Sequence, residues 1–107
     1  MKLLFVCTEN LNRSPTAAEL FKKNKKHKAK SAGISITAEN NVSNELIKWA
    51  DKIFVMEKVH KKFITDKVPD AENKIEVLWV PDVYPKNDPK LIEILKKKLK
   101  NYLKNNK

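Results

Sequence analysis

Leu3-Leu4-Phe5-Val6 runs directly into Cys7-Thr8-Glu9-Asn10-Leu11-Asn12-Arg13-Ser14-Pro15. An almost wholly apolar run suits a strand buried on both faces. Ser14 is placed to cap a helix and Pro15 to fill its first position. Ala17, Leu20 and Phe21 then recur at helical spacing, which predicts a helix through about residue 26. Residues 7–14 therefore form the turn between a strand and a helix N-terminus. Such a turn aims backbone N–H groups and the positive end of a helix dipole at one point, an anion site. The chain's only cysteine opens this turn and an arginine closes it.

Outward from this turn, strands and helices alternate. Lys28 to Ser31 is a candidate second strand, ending at Ala32-Gly33. Gly33 is the only glycine and is expected to mark a backbone angle that other residues resist. Residues 34–42 read as loop. Ser43 is placed to cap a helix carrying Leu46, Ile47 and Ala50. Ile53 to Met56 is the next buried strand, and Glu57 to about Thr65 a helix with Val59 and Phe63 inward. After a polar, turn-rich stretch at 66–74, Ile75 to Val80 is the last strand. Asp88 and Pro89 cap a final helix burying Leu91, Ile92, Leu95, Leu99, Tyr102 and Leu103, with a frayed tail from Lys104. Trp49 and Trp79 are expected in the core. This β-α-β-α-β-α-β-α order argues for a parallel sheet covered on both faces. Ligands of such sheets bind outside the strands' carboxyl ends. The Cys7 turn, the Gly33 turn and the Asp82 loop all fall on that edge.

At 107 residues one domain, 1–107, is expected. No apolar run approaches the ~20 residues of a membrane span, and the N-terminal apolar stretch is too short for a signal peptide. A cytoplasmic protein is the expectation. One cysteine makes neither an internal disulfide nor a Cys-rich zinc site. His27 and His60 stand among lysines and are expected to be solvated rather than metal-bound. Net charge is +10, from 23 basic and 13 acidic residues. The lysines, however, are spread along helix-like segments with few aromatics between them, which argues against specific nucleic-acid binding.

A thiolate is a strong nucleophile, and positive surroundings favour its formation. Arg13 offers a planar fork able to grip two phosphoryl oxygens. In-line attack by Cys7 would give a cysteinyl phosphate. Asp82 sits at the right edge to protonate the leaving oxygen and then to deprotonate the attacking water. Arg13 and the N–H groups supply the charge stabilisation, so no metal or other cofactor is expected.

Cys-x5-Arg-Ser, with Asn10 inside the loop and Pro15 after it, resembles the phosphate-binding loop of the low-molecular-weight protein tyrosine phosphatases. Leu4-Phe5-Val6-Cys7, Ser31-Ala32-Gly33, Ala50-Asp51-Lys52-Ile53-Phe54-Val55-Met56 and Val80-Pro81-Asp82-Val83-Tyr84 resemble further stretches of that family, in family order. The resemblance implies a three-layer α/β sandwich, its four-stranded parallel sheet in the order 2-1-3-4. It implies Cys7 as nucleophile, Arg13 as phosphate binder and Asp82 as acid/base. Thr8, Glu9, Asn10, Leu11, Asn12 and Ser14 complete the phosphate loop. Asn10, Ser14 and Ser31 are its hydrogen-bonding supports, and Tyr84 is a wall for the substrate. The implied substrates are phosphotyrosine proteins or small phosphomonoesters, with phosphate as an inhibitor.

This chain departs from the family's pattern at four points. Glu9 stands where the family usually has glycine and is expected to point outward. Asn12 stands where many members carry a second cysteine, and Val83 where proline usually follows the acid. The segment between Gly33 and Val42 is short. Glu9 and Val83 keep open a non-catalytic anion-binding module of the same fold. An arsenate reductase of this fold would need resolving cysteines that the chain lacks.

Overall fold

The computed structural model describes residues 1–103. The tail from Lys104, expected to be frayed, lies outside the described residues. Four strands, β1 (Lys2–Cys7), β2 (Lys28–Gly33), β3 (Lys52–Val55) and β4 (Ile75–Val77), form one parallel sheet in the order β2-β1-β3-β4. The helices are α1 (Arg13–Glu19), α2 (Asn44–Trp49), α3 (Lys58–Lys67), α4 (Pro89–Lys98) and α5 (Lys100–Leu103), with a 3-10 helix at Pro69–Lys74.

β1 explains the three layers. Leu3, Phe5 and Cys7 face one side, where Ala17, Phe21, Phe54, Met56, Leu91, Leu95 and Leu99 complete a core beneath α1 and α4. Leu4 and Val6 face the other, with Ile47, Ile53, Val55, Ile64 and Ala71 beneath α2, α3 and the 3-10 helix. A central strand so covered has no polar face to present, hence its continuous apolar run.

Several elements differ from the sequence expectation. α1 stops at Glu19 rather than near residue 26. Beyond it, Leu20, Phe21 and Lys22 donate to carbonyls three residues back, and the Asn24 side chain takes the N–H groups of Lys26 and His27. Local side-chain bonding of this kind competes with helix continuation. Ser14 does not cap α1; Asn12 holds the cap position, without a side-chain bond. Ser43 caps α2 by accepting from Leu46 N–H, and Asp88 caps α4 by accepting from Lys90 N–H.

β4 is shorter than Ile75–Val80 because Trp79 takes a left-handed backbone, φ 58°. Leu78 and Val80 still bond to β3's carboxyl end and are buried, whereas Trp79 is 64% exposed rather than core. Trp49 is half-buried, with Lys30 Nζ over its ring. α3 is turned by one residue from the expected face: His60 and Ile64 are buried, and Val59 is exposed. The last helix breaks at Leu99 into α4 and α5; Leu91, Leu95 and Leu99 are buried, and Ile92 only half-buried.

Neither histidine is solvated. His27 is 6% exposed, edge-on to the rings of Phe21 and Tyr102, and neither ring nitrogen has a partner among the described residues. Burial, then the N-terminal ammonium and Lys26, lower its pKa.

Candidate active site

Gly33 places the loop from Cys7 to Ser14. Its φ is not left-handed, contrary to the sequence expectation. The constraint is space: a Cβ there would lie 2.7 Å from Thr8 O, 2.8 Å from Ala38 Cβ and 2.9 Å from Asn10 N. The loop rests against the bare α-carbon, and β2's continuation fastens it. Ile34 N–H donates to Cys7 O (3.1 Å) and Ser35 N–H to Thr8 O (2.9 Å). Asn10 turns the loop at φ 57°, an angle that asparagine tolerates better than most residues.

Cys7 closes β1 and is 3% exposed. Its Sγ lies 2.9 Å from Ser14 Oγ. Ser14 is fully buried, and its hydroxyl also lies 2.8 Å from Asn10 Oδ1 and 3.4 Å from Ala32 O. The structure thus brings together Cys7, Asn10 and Ser14. Ser31 is not joined to them: its carbonyl accepts from Asn40 Nδ2, and it lies beside Pro15 and Ala18 on the outer side of α1. The adjacent Ala32 carbonyl approaches the Ser14 hydroxyl instead.

Arg13 is 1% exposed. Its Nη1 donates to Glu57 Oε2 and to Val80 O, the latter at 2.8 Å. Its Nε lies 3.7 Å from Asp82 Oδ1 and, although buried, has no hydrogen-bond partner among the described residues. A buried, unpaired guanidinium N–H is costly, and a ligand oxygen would satisfy it. Glu57 was not foreseen from sequence. It begins α3, where its side chain takes the His60 N–H and His60 Nδ1 accepts the Glu57 N–H, a reciprocal cap. Glu-x-x-His directly after a buried strand carries that signal.

His60 is fully buried. Since Nδ1 accepts from Glu57 N–H at 2.9 Å, the ring proton belongs on Nε2, which donates to Thr8 Oγ1 at 3.0 Å. Burial lowers its pKa to about 4, with Arg13 acting in the same direction and Glu57 and Asp82 opposing.

Cys7, Glu9, Leu11, Asn12, Arg13 and Asp82 line one pocket of about 120 Å³. Glu9 is anchored outward, Oε1 accepting from the Thr37 hydroxyl at 2.8 Å, yet still lines the pocket. Leu11 is 60% exposed at the rim. Tyr84 packs against the core of the α1/α4 face and does not line this pocket. Among the described residues no three His, Cys, Asp or Glu side chains are grouped to hold a metal ion. No helix of the described residues is long and apolar enough to cross a membrane.

Residues 2–52 match the family described as low molecular weight phosphotyrosine protein phosphatase. The chain has the low-molecular-weight phosphatase fold. Wzb from Vibrio vulnificus, solved with benzylphosphonate, superposes with a TM-score of 0.78 at 24% identity, over 97% of each chain. The YwlE arginine phosphatase of Geobacillus stearothermophilus superposes with a TM-score of 0.73 at 24% identity, over 97% of this chain and 93% of its own. The low molecular weight protein tyrosine phosphatase of Streptococcus pyogenes gives 0.78 at 20% identity, over 97% of this chain and 91% of its own. No curated protein sequence matches the chain. The sequence match over residues 2–52 is to a phosphatase family and the fold agrees with it, and Cys7 and Arg13 line the same pocket.

Proposed function

We propose that the protein, acting as one domain over 1–107, hydrolyses phosphomonoesters through a phosphorylated Cys7. The observation that carries this reading is the pocket itself: a thiol, a buried guanidinium with an unpartnered Nε, and a carboxylate line the same small space. The phosphoryl oxygens take Arg13 Nε–H and loop N–H groups. Cys7 Sγ attacks phosphorus in line, the P–O bond breaks, and Asp82 protonates the leaving oxygen. Asp82 then takes a proton from water, which attacks phosphorus. The S–P bond breaks, and phosphate leaves.

Ser14 carries a single hydroxyl proton. With a neutral thiol it donates to Asn10 Oδ1; with a thiolate it turns to Sγ. The serine thereby follows the charge of the nucleophile. The substrates are phosphotyrosine-bearing proteins or small phosphomonoesters, and the product phosphate competes for the loop. An unpaired nucleophilic thiol is suited to the reducing cytoplasm.

The test is turnover of p-nitrophenyl phosphate by wild type, Cys7→Ser and Asp82→Ala, with mass spectrometry of rapidly quenched enzyme. Wild type is expected to turn over and Cys7→Ser to be inactive. Asp82→Ala is expected to be slowed, and phosphate to be found on Cys7. A wild type inert across about pH 5–7, or a Cys7→Ser that keeps its activity, refutes the reading and leaves an anion-binding module.

A further inference from the structure

We infer that His60 is a positioning residue that braces the phosphate loop from behind through Thr8, an inference that rests on the phosphatase reading above. Thr8 follows the nucleophile directly, yet it does not line the pocket with Cys7, Glu9, Leu11, Asn12, Arg13 and Asp82. Its hydroxyl instead meets His60 Nε2, 52 residues away in the chain. The other ring nitrogen is committed as well, accepting the N–H of Glu57, whose carboxylate holds Arg13. One imidazole therefore fastens two parts of the site at once: the loop beside the thiol and the residue that holds the phosphate-binding arginine.

The geometry fixes the chemistry this brace requires. Nδ1 must be an acceptor and Nε2 a donor, so only the neutral ring with its proton on Nε2 serves both partners. The ring is fully buried, with the Arg13 guanidinium nearby, which favours that neutral form. Surface lysines on either side in sequence, Lys58 and Lys61, do not share this environment. A buried ring that only filled space would have no need of two directed hydrogen bonds, one to the loop beside the thiol and one to the residue that holds Arg13.

The two bonds are separable. In His60→Asn the amide oxygen replaces Nδ1 and keeps the Glu57 bond but loses the donor to Thr8. In His60→Gln the amide nitrogen reaches the Nε2 position and keeps the Thr8 bond. Thr8→Val removes the acceptor with little change of shape. Loop misplacement on the ångström scale costs up to about a hundredfold in rate, and partial release here is set at about tenfold. His60→Asn and Thr8→Val are each expected to lose about tenfold in kcat on p-nitrophenyl phosphate. The double variant is expected to be no worse than either single one, and His60→Gln to recover to within about threefold of wild type.

A parallel readout needs no turnover: inorganic phosphate protecting Cys7 from iodoacetamide, where both single variants should weaken protection by the same factor and His60→Gln should restore it. Losses that multiply in the double variant, or a His60→Gln as poor as His60→Asn, overturn the inference. If His60→Asn does not fold, Thr8→Val against His60→Gln decides: equal defects overturn the brace, and a Thr8→Val defect that His60→Gln lacks supports it. A wild type inert toward p-nitrophenyl phosphate overturns the phosphatase reading alone, and the alkylation comparison still decides the role of His60.

Discussion

Adding one methyl group at Gly33 is the sharpest perturbation the fold offers. The new Cβ would sit 2.7 Å from Thr8 O, 2.8 Å from Ala38 Cβ and 2.9 Å from Asn10 N. All three separations are well inside van der Waals contact, and two of the opposing atoms are backbone of the phosphate loop. The backbone angle at Gly33 is open to alanine, so the usual entropic gain of about 0.4–1 kcal/mol from Gly→Ala applies. Overpacking costs about 1–3 kcal/mol. The net expectation is a destabilisation of about 1–2 kcal/mol. For a domain of this size that corresponds to a fall in Tm of roughly 4–16 °C. The strain is not shared evenly. The nearest atoms belong to Thr8, Asn10 and the buried Ala38, so relief comes from shifting residues 8–10 and the Ala38 turn away from β2. Turnover of p-nitrophenyl phosphate should therefore fall by more than the loss of folded protein explains, at least about tenfold at a temperature where the variant is fully folded. Thermal melts followed by circular dichroism, with kinetics at 15 °C below the variant's Tm, test this. A Gly33→Ala protein with wild-type Tm and kcat would show that the loop does not depend on the bare α-carbon.

Two further expectations concern charge. Glu9→Gln keeps an acceptor for the Thr37 hydroxyl but removes a partly exposed negative charge from the pocket; phosphate should inhibit about two- to fivefold more tightly at low salt, with the difference vanishing near 1 M salt, as measured by Ki. His60 has a folded-state pKa of about 4 against an ordinary 6.5, so the neutral form is favoured by folding: its contribution is complete above pH 6.5 and is lost as pH falls toward 4. Urea denaturation should show roughly 2–3 kcal/mol less stability at pH 4 than at pH 7 from this group, and His60→Gln should lack that component while keeping the rest of the acid dependence.

Most of the architecture was legible because a parallel sheet buried on both faces writes itself as short apolar runs between amphipathic stretches. Leu3–Val6 and Ile53–Met56 are of this kind. The 2-1-3-4 order followed from the resemblance and is the observed order. What was illegible depends on direction rather than on composition. Trp79 looks like a core residue, but a left-handed backbone at that one position turns it to solvent while Leu78 and Val80 stay inside. His60 looks like part of a lysine-rich surface because its neighbours are charged; its face is set by the helical spacing to Ile64, both residues pointing into the molecule while the lysines between point out. Gly33 announced a constraint correctly but not its kind, since the want of space arises from a loop distant in sequence. Glu57 is half legible: its reciprocal cap with His60 is local, but its contact with Arg13, 44 residues earlier in the chain, is not.

That separation has a consequence for how the site comes into being. The loop from Cys7 to Ser14 is local, but the groups that hold its arginine arrive 44 and 67 residues later, at Glu57 and Val80. Contacts so distant in sequence form late, after the loop-closure entropy of the intervening strands has been overcome. A growing chain that has emerged only as far as residue 52 already carries the thiol and the guanidinium, but neither of the arginine's anchors nor Asp82. On the proposed phosphatase reading, competence to bind phosphate is thereby tied to completion of the sheet, and partly folded chains carry the thiol without the setting that would direct it.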